Sequence, residues 1–369
     1  MEIKLKNTEA QIELLKATAS KNRETAYEAK AAIAELISPV LAQVINNAPT
    51  ISNFYTTKPF GEDENPSFPL DLLYDISDED YLQINSQTVA GGLSSNEMFA
   101  AHDELKFKTY PIDSAWSYDK KYARRARLDV LSALFTRMAQ EVLLKQERTS
   151  VNQLCGALVN AGVSGAQVIS ATTADILTIA DFNNLITLSK RIWSSFSKGT
   201  PVGGSRVGIT DLIMSPEMTE EIRSMAYQPV NTRAGSITTS GATAIAATDE
   251  MRNAIMSAAG LSSIFDINCI ELLEFGVGQR YNKIFDAVNV ANSSPVTFTQ
   301  ASDEILIGLD RSRPNALLRP TVIEEGSATE LTVEVDDQFA ARSGKAGFYG
   351  KLTEGRIITD SRILTGLKV

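Results

Sequence analysis

The stretch from Ile51 to Ser117 does most to limit how this chain can fold. It has no strong helical period and no compact apolar cluster, and Thr56, Thr57, Thr88 and Thr109 sit among Pro59, Pro66, Pro69 and Pro111. In Glu104–Tyr110, Leu105, Phe107 and Thr109 alternate with Lys106, Lys108 and Tyr110, the period of a strand. Such a stretch is long for a loop inside a domain, and an isolated hairpin is marginal in water. It is therefore expected to lie on a neighbouring surface. Residues 61–80 add eight acidic side chains and no basic one.

Helical patterns flank it. Ile12, Leu15, Ala19, Ile33, Ile37, Leu41 and Val44 recur at three- and four-residue steps until Asn46-Asn47-Ala48-Pro49 stops them. This arm has a narrow apolar stripe, and another surface is expected to cover it. A single helix is predicted from about Asp119 to Asn160, with Leu131, Leu134, Phe135, Met138 and Val142 as its stripe and Leu154–Leu158 continuing it. About forty residues at 1.5 Å each give about 60 Å, longer than a small domain is wide. Its first turns are basic, with Lys120, Lys121, Arg124, Arg125 and Arg127 against Asp119.

Residues 181–310 read as a compact α+β unit. Asp181 can cap a helix bearing Phe182, Leu185, Ile186, Ile192, Trp193 and Phe196. Val207, Ile209 and Leu212–Met214 read as strand, and Ser215-Pro216-Glu217 opens a second helix with Met218, Ile222 and Met225 inward. Ala234–Thr248 is a low-complexity loop of small residues, and Thr248 caps a helix ending at Gly260. Ile264–Leu273 and Glu304–Leu309 read as strands. The last fifty residues are mostly β: Leu331, Val333 and Val335 alternate, and Phe348-Tyr349 and Arg356–Thr359 are further short strands.

Composition removes much of the catalytic menu. With one histidine, His102, and two cysteines, Cys155 and Cys269, neither a disulfide framework nor a Cys/His zinc site can be built. Lys and Arg number 35 against 45 Asp and Glu, and a net charge of −10 suits a phosphate backbone poorly. The longest uncharged run, Thr149–Ala174, is too polar to span a bilayer, and residues 1–16 lack the apolar core of a signal peptide. A soluble chain with reduced thiols is expected.

The remaining motifs carry little chemistry. Gly199–Ser205 lacks the Gly-Lys-Ser/Thr ending of a phosphate loop, and Gly276–Arg280 lacks the third glycine of a dinucleotide site; both read as turns. Asp75–Asp80 and Asp336-Asp337 have no EF-hand spacing and read as solvated acidic faces. Cys155 and Cys269 read as small buried hydrophobes. No nucleophile–base pair stands out, so no catalytic residue, cofactor or metal is expected. The basic turn has two readings, contact with nucleic acid or pairing with acidic segments such as 61–80 of another copy; at a net charge of −10 the second is favoured, since opposite charges set partner and register.

The order of parts, with Asp211–Glu217 entering a helix, Gly276–Asn282, Glu304–Asp310, Phe339–Phe348 and Gly355–Asp360, resembles the HK97-type major capsid proteins of tailed bacteriophages. The resemblance implies an α+β fold with a helical N-terminal arm (1–50), an extended E-loop hairpin (51–117) and a spine helix with the first part of a P-domain (118–180). An A-domain (181–315) and returning P-domain strands (316–369) complete it. It implies a non-enzymatic structural protein that self-assembles into hexamers and pentamers of an icosahedral head enclosing double-stranded DNA. The genome would be touched only weakly and non-specifically, because like charges repel.

Expected partners are the chain itself, a scaffolding protein, a portal and, as an optional one, a decoration protein, with no membrane. The location implied is the virion capsid, assembled in the host cytoplasm. With Met1 leading into the arm, the chain is expected to be uncleaved and to use a separate scaffolding protein. The lysine–asparagine cross-link of some relatives has no matching constellation here. Subunit contacts are expected at Phe107, Tyr110, Lys120, Lys121, Arg124, Arg125 and Arg127, and at Asp78, Glu79 and Asp80. An encapsulin-like bacterial compartment is the alternative on the same fold.

Overall fold

The computed structural model describes residues 3, 8–69, 104–163, 167–173, 175–192, 208–227, 263–292, 298–299, 301–313, 315–324, 329–336 and 344–369. Asp78, Glu79, Asp80, His102, the Gly199–Ser205 loop, the low-complexity loop and the helix expected after Thr248 lie outside the described residues, as do Trp193, Phe196, Val207 and Asp337.

In chain order the first elements are α1 (Glu9–Ala17), α2 (Arg23–Asn46), β1 (Thr56–Gly61), β2 (Ser67–Pro69), β3 (Glu104–Lys106) and β4 (Tyr110–Asp119). Then come α3 (Lys120–Arg124), α4 (Leu128–Val163), β5 (Val168–Ser170), α5 (Ile179–Ile192), β6 (Asp211–Met214) and α6 (Pro216–Tyr227). The rest are β7 (Ser263–Ile264), β8 (Ile267–Glu271), α7 (Arg280–Asn292), β9 (Ile305–Leu309), β10 (Leu317–Ile323), β11 (Leu331–Asp336), β12 (Lys345–Glu354), β13 (Ile357–Ile358) and β14 (Leu364–Lys368). They divide into two units, one of residues 1–69, 104–150 and 317–357, the other of 70–103, 151–316 and 358–369.

The first unit is built on a six-stranded sheet. β12 runs antiparallel to β4 along its whole length, from Lys345↔Asp119 to Glu354↔Tyr110, and pairs with β11 on its other side. β1 lies parallel to β10, from Thr56↔Leu318 to Gly61↔Ile323. Alternation along β12 sends Ala346, Phe348, Leu352 and Glu354 inward. The stripe predicted on α4 meets them: Leu131, Leu134, Phe135, Met138 and Val142 are all buried there, with the Phe135 and Phe348 rings 5.3 Å apart.

Two expectations fail in this unit. The arm does not wait for a neighbour, because Ile33, Ile37, Leu41 and Ile45 of α2 are buried in the unit's own core. Ser38 Oγ donates to the Leu331 carbonyl at 2.6 Å, fixing α2 over β11. Nor is the basic segment continuous with the long helix. Ala126 takes the left-handed conformation (φ 51°) and separates α3 from α4. An alanine gives no sequence warning of such a break. At 36 residues, α4 is still about 54 Å long.

The second unit carries another six-stranded sheet, in the order β5-β14-β9-β6-β8-β7. Phe182 and Leu185 of α5 and Met218 and Ile222 of α6 pack on Leu212, Met214, Leu306 and Leu367. Thr178 caps α5 in place of Asp181: its Oγ1 accepts from the Asp181 amide at 3.2 Å, and it donates that hydroxyl back to the carboxylate. Burial opposes ionisation of Asp181, yet hydrogen bonds from Thr172 and Thr178 hold its carboxyl below the ordinary value. Ser215 caps α6 as expected, accepting from the Met218 amide at 3.1 Å.

Two further expectations are corrected. Ile264–Leu273 is a hairpin, because Phe265 and Asp266 both take positive φ between β7 and β8. Gly276–Arg280 leads from β8 into α7, so it is not a turn between strands. β14 pairs with β5 and β9 in the second sheet. Among the described residues no helix is long and apolar enough to cross a membrane.

Candidate assembly surface

The extended excursion has a defined foot. The chain goes out on β2 and comes back on β3, which pair antiparallel from Ser67↔Lys106 to Pro69↔Glu104. The Phe107 amide donates to the Pro66 carbonyl at 2.8 Å. Phe68 is buried beneath Lys58, whose Nζ lies 4.1 Å from the ring centre, and Phe60 meets Phe107 edge-on at 6.3 Å. Burial also lowers the Lys58 ammonium pKa.

Phe107 is thus a buried part of this foot. Tyr110 is half-buried where β4 begins, directly opposite Glu354. Burial, then the Glu354 charge, raises its phenol, and a hydrogen bond with Thr149 works in the other direction.

Behind Tyr110 lies an ion cluster that sequence reading missed. Glu354 is fully buried and accepts from Arg319 Nε at 2.9 Å and from Gln146 Nε2 at 2.9 Å. Arg356 lies 3.0 Å from its other oxygen. Arg319 also reaches Glu330 at 3.2 Å and Asn46 Oδ1 at 3.2 Å. Arg356 donates to Ser52 Oγ at 2.6 Å and to Ser150 Oγ at 3.1 Å, and its guanidinium lies over the Tyr55 ring. Burial lowers the Arg356 pKa, and Glu354 counters it. Two arginines face two glutamates, so the cluster is close to neutral while tying α2, α4, β10 and β12 together. One signal was available: Arg319 interrupts the apolar run Leu317–Ile323, and an unpaired charge inside a strand is costly.

The basic turn lies on the surface. Lys121 pairs with Asp119 at 2.8 Å, and Arg127 sits 3.6 Å from Asp129. Lys120 is half-buried, whereas Arg124 and Arg125 are exposed and form no ion pair among the described residues. Cys155 is fully buried and Cys269 half-buried, with both thiols pushed up to about 12 by burial. Neither is a nucleophile in that state. Among the described residues no group of three His, Cys, Asp or Glu side chains could hold a metal ion.

No family model matches this chain, and no curated protein matches it. Among solved structures it is similar to phage head and capsid proteins. The capsid of cyanophage P-SCSP1u has 10% identity and a TM-score of 0.45, over 85% of this chain and 86% of that one. The head of Helicobacter pylori bacteriophage KHP40 has 11% identity and a TM-score of 0.41, over 85% and 86%. The SrpI encapsulin complex of Synechococcus elongatus PCC 7942 has 10% identity and a TM-score of 0.40, over 72% and 75%. At such distances the function has to be argued from the chain itself.

Proposed function

We propose that this chain is a major capsid protein, a structural subunit that self-assembles into hexamers and pentamers of an icosahedral phage head around double-stranded DNA. The observation that carries this reading is the foot of the excursion. The segment between Pro69 and Glu104, acidic at its start, leaves and returns on one paired base in which Phe68 is buried, beside buried Phe107. That base adjoins a sheet locked by the Arg319–Glu354–Arg356 cluster. A loop held this firmly at its root suits presentation to another subunit, because ordering has been supplied before contact.

The basic turn, with Arg124 and Arg125 exposed, supplies charge of the opposite sign to Asp78, Glu79 and Asp80 of a neighbouring copy. A net charge of −10 keeps DNA contact weak. A scaffolding protein, a portal and an optional decoration protein complete the particle, which assembles in the host cytoplasm. No catalytic role is assigned to any residue.

Negative-stain microscopy of the purified full chain tests the reading. Hexamers, shells or curved sheets are expected, and a monodisperse monomer at high concentration overturns it. Shells that copurify with an enzyme cargo in place of DNA would mark a bacterial compartment.

A further inference from the structure

We draw no further inference here: the strongest candidate, the cluster of Glu217, Glu221 and Glu304 side chains at the start of α6, where Ser215 Oγ donates to Glu304 and the Leu177 amide donates to Glu221 at 3.0 Å, carries nothing, because it is an acidic cluster in which no second feature among the described residues points to a ligand.

Discussion

Arg319 and Glu354 form an ion pair at 2.9 Å, with 5% and 0% of their side chains exposed. The pair joins the middle of β10 to the last residue of β12, next to the foot of the excursion. Buried pairs of this kind contribute little net stability compared with well-packed apolar residues, but breaking one is costly. Its value lies in fixing one arrangement of strands.

Glu354→Ala should therefore destabilise the first unit by about 3–5 kcal/mol, because two arginines would stay buried with one carboxylate gone. Urea unfolding measures this. A loss below about 1 kcal/mol, the size of a surface ion pair, would mean that water reaches the cluster.

Gly308→Ala should cost about 1–3 kcal/mol through overpacking. An added Cβ would lie 2.6 Å from Thr365 Oγ1 and 2.7 Å from Ile209 Cδ1, in the middle of β9. Thermal unfolding of the variant checks it, and an unchanged midpoint would show that β14 can move aside.

Stability of the second unit should fall as pH rises past the ordinary glutamate range. Burial raises the Glu304 pKa above 4.5, helped by the charge of Glu217 and opposed by the hydrogen bond from Ser215. A carboxyl raised in the folded state stabilises below its unfolded value, and that contribution is lost as pH rises through the raised value. Glu304→Gln mimics the protonated form. It should match the parent in acid and exceed it at neutral pH in urea titrations, and parallel curves would refute the assignment.

Reversing Arg124 and Arg125 to Glu should weaken assembly most at low ionic strength, with the gap to the parent closing as salt is added. Light scattering across a salt series reads this. Equal scattering at every salt concentration would leave the two arginines as solvated side chains.

Much of this fold was legible because period and burial coincide. The α4 stripe from Leu131 to Val142, the Ser215-Pro216-Glu217 helix start and the alternation at Leu331 and Val333 all lie where local pattern and core agree. What was missed depends on distant partners. β10 has no clear alternation because both its faces are covered, and its charge partner Glu354 lies 35 residues away. The apolar face of α2 was assigned to a neighbour because nothing near it in sequence announces β11. The break at Ala126 carries no glycine or proline. At the candidate surface, the exposed arginines were legible, whereas the burial of Phe107 in its own chain was not, because an alternating aromatic looks the same whether it faces a partner or its own hairpin.

The pairing of β1 with β10 also bears on how the molecule is made. A ribosome must complete residues 151–316 before the strands that cover β1 and β4 exist. Until then the earlier strands are open edges on a nascent polypeptide, the state in which chains of high contact order are most exposed to aggregation. Cells producing this protein in bulk should therefore need chaperone capacity in proportion to its rate of translation.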